Sequence, residues 1–477
     1  MKNIDTNIKN VINEIKTKTG NSPDLVVKNI TLNNTDIAVI FNESLTDKIA
    51  INDYILEFFT DITLRRFKTP ELYSFIKQHL TTHKTIEIHN YKDLFYSLNS
   101  GFTLILVDKE TTCLAIETKT VLYSGILEAK NEPVTKGPKD SFTENYQVNI
   151  GLIRKRIKTE NLRINEHVIG NASQTKVSLM YIDGVAPQAL VDEIEHKIKQ
   201  INIDAVLDSN YIVEAISENK NNVFPNYLST ERPDLVSIQV LEGRIAIIVE
   251  NTPEVVVVPT IFANFFNSPE DYYQKNKNAN FTRVLRLIAF IITILAPAFY
   301  ISLSTYNLEA IPTELLISFA SQKEGVPLPT VLETLALMIV FEILRETDTR
   351  SPIAVGSSLS IVGALVLGQS AVSAGVVSPI TVIVVAITAI SGLISYSVDI
   401  VSGIRLWRFI FIVFAAILGT IGILLAGFLF LVNISSIKSF GVPYLTPFAP
   451  FNKKEQGDAL LLTNEAKLNT QGKRVIK

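Results

Sequence analysis

The sequence predicts an α/β N-terminal region of two subdomains, cytoplasmic in placement, followed by an α-helical polytopic membrane domain. Charged residues are dense before residue 284 and sparse between 284 and 452. Three long stretches, 287–308, 351–398 and 409–437, carry no charged side chain. Before them, short β-favouring runs alternate with helical stretches.

The uncharged stretches decide the class. A helix needs about 20 apolar residues to cross the hydrocarbon of a bilayer, and apolar runs in soluble cores are shorter. Segment 287–308 matches one crossing. Segment 351–398 has room for two helices with a tight turn, expected at 373–379 (SAGVVSP). Segment 409–437 supplies another crossing, with Trp407 and Arg408 as interfacial anchors. Segment 331–343 is shorter and carries Glu333 and Glu342, with Arg345 just beyond. It reads as an interfacial or re-entrant helix in which Glu342 and Arg345 share a face and can pair. Segment 311–320 reads as a helix lying at the interface.

In the first 282 residues, strands are expected at 24–32, 35–41, 102–108, 112–118, 175–182, 236–241, 244–250 and 254–259. Helices are expected at 49–59, 141–158 and 191–201, with Gly243 as a hairpin turn. The polar stretch 128–141 breaks the pattern. The domains are therefore read as 1–130, 131–282, 283–452 and a basic tail, 453–477. The helix over 141–158 ends in Arg154, Lys155 and Arg156, which read as capping charges on a solvated face or as a contact for a partner or membrane surface.

Composition excludes several functions. A net charge of −3 offers no field for nucleic acid. Cys113 is the single cysteine, so no internal disulfide or CxxC site is possible. His79 and His83 are four residues apart without metal-site context, and no metal or cofactor is expected. No Walker loop, GxGxxG or GxSxG motif occurs, and the acidic pairs Asp192/Glu193 and Glu270/Asp271 read as solvated helix charges. No catalytic residue is assigned. The polar N-terminus lacks the apolar core of a signal peptide, so the N-terminal region is expected to stay in the cytoplasm.

Basic residues give conflicting topologies. Arg283 and Arg286 flank the first span, Arg405 and Arg408 flank the last, and the tail is basic; all favour the inside. Five spans place the tail outside. Four spans plus a re-entrant 331–343 place Arg405 and Arg408 outside. Within 353–371, small residues either permit close helix packing or line a pore. Ser358, Val362, Val366 and Gln369 fall near one stripe and are the pore-lining candidates, which requires a symmetric oligomer.

Several segments together resemble one family, the A subunits of GerA-type nutrient germinant receptors. They are KGPKDSFTENYQVNIGLIRKRIK (136–158), FPNYLSTERPD (224–234), LEGRIAI (241–247), SPEDYY (268–273), IPTELLISFASQKEGVPLPTVLE (311–333), SIVGALVLGQSAVSAGVVSP (360–379) and SFGVPYLTPFAP (439–450). KGPKD stands where the family has a more arginine-rich start, and LRETD (344–348) where it has an LREAG-like turn. The resemblance implies residence in the inner membrane of the spore and two partners, a transporter-like B subunit and a lipoprotein C subunit. It also implies self-association as a pentamer around a cation pathway opened by nutrients. A non-conducting scaffold that transmits state to the B subunit is the alternative. A secondary transporter is a third reading, but no inverted repeat is visible.

Overall fold

In the computed structural model the described residues are 2–32, 34–62, 69–80, 84–120, 129, 131–217, 222–350, 368–394, 398–451, 458–459 and 461–463. Two α/β units come first. The first runs α1 (Ile8–Lys18), β1 (Leu25–Leu32), β2 (Thr35–Asn42), α2 (Lys48–Ile51), a π turn (Asn52–Leu56) and α3 (Glu57–Ile62). It continues with α4 (Thr69–His79), β3 (Thr85–Ile88), α5 (Tyr91–Leu98), β4 (Phe102–Val107) and β5 (Cys113–Glu117). The second runs α6 (Tyr146–Arg156), β6 (Leu162–Ile169), β7 (Thr175–Ile182), α7 (Gln188–Lys199), α8 (Ser209–Ile216), β8 (Leu228–Thr230), α9 (Pro233–Leu241), β9 (Ile245–Val249) and β10 (Val255–Val258).

The two sheets have one topology. Their strand orders are β1-β2-β4-β5-β3 and β6-β7-β9-β10-β8. Every pairing is antiparallel, and each unit opens with a long hairpin, Leu25↔Asn42 to Leu32↔Thr35 in one and Leu162↔Ile182 to Ile169↔Thr175 in the other. Side-chain oxygens of Asn7, Asp47, Asn90, Asn145 and Asp208 accept from the first backbone amides of their helices, which fixes where those helices begin.

The expected strand at 236–241 is helix α9. Leu235, Val236, Ser237, Gln239 and Val240 are all buried, so no polar face marks the helical period. Pro233 sits in its first turn, where a missing amide hydrogen costs nothing. Gly243 is accordingly not a hairpin turn: at φ +99° it ends α9 and hands the chain to β9.

The helical domain follows α10 (Glu270–Tyr273). Helix α11 (Asn276–Thr305) has 30 residues, about 45 Å. After α12 (Thr313–Lys323), which is mostly exposed, α13 (Thr330–Arg350) runs 21 residues, well beyond the short segment expected at 331–343. A turn at 374–377 precedes α14 (Pro379–Gly392). Stretches 276–305 and 399–436 are long and apolar enough to cross a membrane.

The last stretch, α15 (Val398–Ser436), is a hairpin rather than one crossing. Gly419 breaks it at φ 61°, ψ −135°. Trp407 and Phe430, placed symmetrically about that glycine, lie 5.1 Å apart, and Phe411 lies 6.2 Å from Phe430. Both ends of the hairpin reach the second α/β unit: an added Cβ on Gly403 would sit 2.6 Å from Phe224, and Phe224 is 6.0 Å from Phe430. Segment 420–436 lies antiparallel to α11, with Ser302 bonded to Thr420 at one end and Phe290 near Phe430 towards the other.

This hairpin removes the topological conflict. Tail residues Asp458 and Leu462 bond to Arg283, Asn276 and Asn280 at the start of α11. Arg283, Arg286, Arg405, Arg408 and the described part of the tail therefore lie towards the same end of the helices as the α/β units. The rest of the helical surface exposes Ile291, Phe299, Ile387, Ile417, Leu424 and Phe428, as a lipid-facing surface would.

Candidate functional site

Three layers of buried polar groups run along the helical domain. The first is the base. Asp271, on α10, accepts from Arg283 Nε at 3.0 Å and Arg286 Nη1 at 2.8 Å. Arg283 also pairs with Asp458 at 2.9 Å, and the Tyr272 hydroxyl donates to the same carboxylate at 2.7 Å. Burial and then the Asp458 charge push the Tyr272 phenol well above its ordinary pKa. Asp271 and Arg283 are each 1% exposed, so of the acidic pair Glu270/Asp271 the expected solvation does not hold for Asp271. A carboxylate with two guanidiniums is the arrangement that lets charge stay buried.

The second layer joins α13 to α15. Glu342 pairs with Arg405 at 3.4 Å and, more closely, with Arg408. The expected partner of Glu342 was Arg345, one turn along α13. The structure aims the carboxylate across to α15, while Arg345 stays within electrostatic reach of Glu342 without a direct contact. Trp407 and Arg408 are buried, not interfacial anchors, because they face into the hairpin.

The third layer is at the far end. Glu333 Oε2 accepts from the Ser378 amide at 2.9 Å, the Ser378 hydroxyl at 3.0 Å and Thr381 Oγ1 at 3.0 Å. The Tyr300 hydroxyl bonds to Thr381 at 3.0 Å, tying in α11. A carboxylate at this depth is held by a hydroxyl and amide cage at the start of α14.

Of the pore-lining candidates, Ser358, Val362 and Val366 lie outside the described residues. Gln369 is exposed on the short helical stretch before the turn at 374–377. His83 likewise lies outside them, and His79 stacks on Phe75 at 3.9 Å.

The basic end of α6 divides. Arg154 is not a surface contact: it is buried and clamps Asp24 of the first unit through Nε at 2.6 Å and Nη2 at 2.8 Å. Burial would raise the Asp24 carboxyl, but Arg154, Ser22 and Ser44 hold it below its ordinary value. Arg156 reaches Asp140 at 2.5 Å, and Lys155 lies beside it. Asp24 of Arg154, Asp458 of Arg283 and Glu342 of Arg408 lie 130, 175 and 66 positions away, where no local pattern points to them.

The fold defines a protein whose α/β region is built onto apolar helices, two stretches of which are long enough to cross a membrane. A model of the family "Bacillus/Clostridium GerA spore germination protein" matches residues 13–473. The chain is 38% identical over 453 residues to spore germination protein KA of Bacillus subtilis, covering 94% of this chain and 83% of that one. It is also 38% identical over 362 residues to the uncharacterized membrane protein YfkQ of Bacillus subtilis, covering 76% and 71%. The crystal structure of the N-terminal domain of the A subunit of the Bacillus megaterium germinant receptor GerK3 aligns at 30% identity and a TM-score of 0.44, over 55% of this chain and 97% of that one. The chain belongs to the GerA spore germination protein family.

Proposed function

We propose that this protein is the membrane subunit of a nutrient germinant receptor in the inner membrane of the spore, with its α/β units in the cytoplasm. It acts with a transporter-like B subunit and a lipoprotein C subunit, and assembles as a pentamer around a cation pathway. One observation carries the coupling part of this reading. A single apolar core runs from Tyr146, Val236 and Phe265 of the second α/β unit into Phe290, Trp407 and Phe430 of the helices. Movement of either part is thereby felt by the other, since packed cores shift between discrete arrangements rather than deform smoothly.

In the pathway, Ser358, Val362, Val366 and Gln369 line the pore, and Glu333 and Glu342 brace the helices around it. Nutrient binding on a partner opens the pathway only if the open assembly binds it more tightly. The test is ion flux from liposomes holding the purified oligomer. Cation-selective flux that rises with Val362→Ala supports the reading. A ring that conducts nothing alone or with its partners leaves the alternative, a scaffold that only transmits state.

A further inference from the structure

The outer face of α15 carries an open groove beside the Glu342 layer. Its upper part, about 450 Å³, is lined by Leu406, Phe409, Ile410, Val413 and Phe414. Its lower part, about 320 Å³, shares Leu406 and Phe409 and adds Ser402, Arg405 and Glu342. The two are shallow, open depressions that adjoin at Leu406 and Phe409 and together form a trough, apolar at the Val413 end and charged at the Arg405 end.

The charged end is electrically unbalanced. Arg405 also borders a small enclosed space shared with Arg345 and Arg408. Arg405 and Arg408 pair with Glu342 and Arg345 lies within its electrostatic reach, so three guanidiniums share one carboxylate. The Nε atoms of Arg405 and Arg408 are buried without a hydrogen-bond partner among the described residues, as is Glu342 Oε2, which leaves two donors against one acceptor. A desolvated guanidinium N–H without an acceptor is costly, and the site calls for an anion. Planar guanidiniums suit phosphate oxygens especially.

We propose that this trough binds an anionic phospholipid, its phosphodiester on Arg405 and one acyl chain along Leu406, Phe409, Ile410 and Val413. Charge at the base and an apolar channel above it match a lipid's own order of head and tail. A lipid there braces α13 against α15 at the Glu342 pairs, next to the shared core.

Trp407, the only tryptophan in the chain, provides the readout, since it follows Arg405 and Leu406 on α15. The full chain is reconstituted in phosphatidylcholine with a minor fraction of either brominated phosphatidylglycerol or brominated phosphatidylcholine. Enrichment of the anionic lipid beside Trp407 gives stronger quenching by the first. Arg405→Gln is expected to cut that preference about fivefold, and Arg405→Lys to keep most of it. Arg345→Gln, which leaves Glu342 its closer pairs with Arg405 and Arg408, gives a smaller loss in the same direction and serves if Arg405→Gln does not fold. Equal quenching by the two lipids in the wild type overturns the proposal. So does abolition of the preference by soluble glycerol phosphate, which would make a free headgroup the ligand. A fall in oligomer size with Arg405→Gln at unchanged quenching overturns it too, by giving the trough to a second copy of the chain.

Discussion

The two α/β units share a strand order but not a setting. In the first, helices of the unit itself cover both sheet faces: Ile8, Val11 and Leu94 on one side, Ile51, Ile55 and Ile76 on the other. In the second, α7 and α8 cover one face, while the core of the other face continues into the membrane helices. The same architecture is therefore a closed module in one case and an adaptor in the other. The first unit meets the second through the buried Asp24–Arg154 pair, and the second meets the helices through a core and the Asp271 cluster. Among the described residues, it is the second unit that shares a core with the helices.

The most damaging way to test that contrast is to remove Asp271. Arg283 and Arg286 would lose their shared carboxylate, and stranding a buried charge costs about 3–5 kcal/mol. Hydrogen exchange in detergent should show lost protection across β9, β10 and the start of α11 together, with β1–β5 unchanged. Asp24→Ala strands Arg154 at similar cost, but each sheet should keep its protection while the two units come apart. Equal loss in the first sheet after Asp271→Ala would mean that the first unit is not a separate module.

Acidity should separate the units in opposite directions. Asp24 has a depressed native pKa, so its contribution is present above the ordinary carboxylate range and lost as pH falls through its native value. Glu132, which bonds to Thr230 of the second unit, is pushed up to about 8 by burial. Its folded form holds a proton that the unfolded chain, near pKa 4.3, has already lost. Stability of the second unit should therefore decline from about pH 4.3 and level off above about pH 8, by up to about 1.4 kcal/mol per pH unit. Glu132→Gln should flatten this slope in chemical denaturation between pH 5 and 9; a slope unchanged in that variant would assign it elsewhere.

A milder probe is overpacking. Gly403→Val would push a Cβ to 2.6 Å from the Phe224 ring, which is itself buried at 1% exposure. Such strain costs about 1–3 kcal/mol. If the second unit and the helices form one cooperative block, both should unfold at the same lowered temperature. A separate early transition of the helices alone would divide them.

How much of this the residues disclosed follows from how local each signal was. Strands β1, β2, β4, β5, β7, β9 and β10 were legible from short apolar runs bounded by polar turns. The membrane helices were legible from the absence of charge over long stretches. Helix α9 was not, because burial on every side erased its period and left VSIQVL looking like a strand. The hairpin at Gly419 was hidden inside an apolar run that satisfies one crossing, and glycine alone is common in membrane helices. The buried pairs Arg154–Asp24, Arg283–Asp458 and Arg408–Glu342 join residues 130, 175 and 66 positions apart, and no local pattern announces them. The structural repeat of the two units likewise lies in pairing order, which composition does not carry.

The far end of the helices offers the smallest effect and the cleanest control. Tyr306, just after α11, donates to Ala416 O at 2.7 Å and lies within 3.0 Å of Ile417 O, and its side chain packs on Gly419. It thus pins the hairpin turn far from either α/β unit. Tyr306→Phe keeps the ring and removes only the hydroxyl, so the loss should be about 1 kcal/mol. Because the adaptor's core and charges sit at the opposite end, hydrogen exchange should rise only around 416–420, with β6–β10 untouched. Loosening of the second sheet by this change would show that the coupling extends through the whole helix length rather than residing at the base.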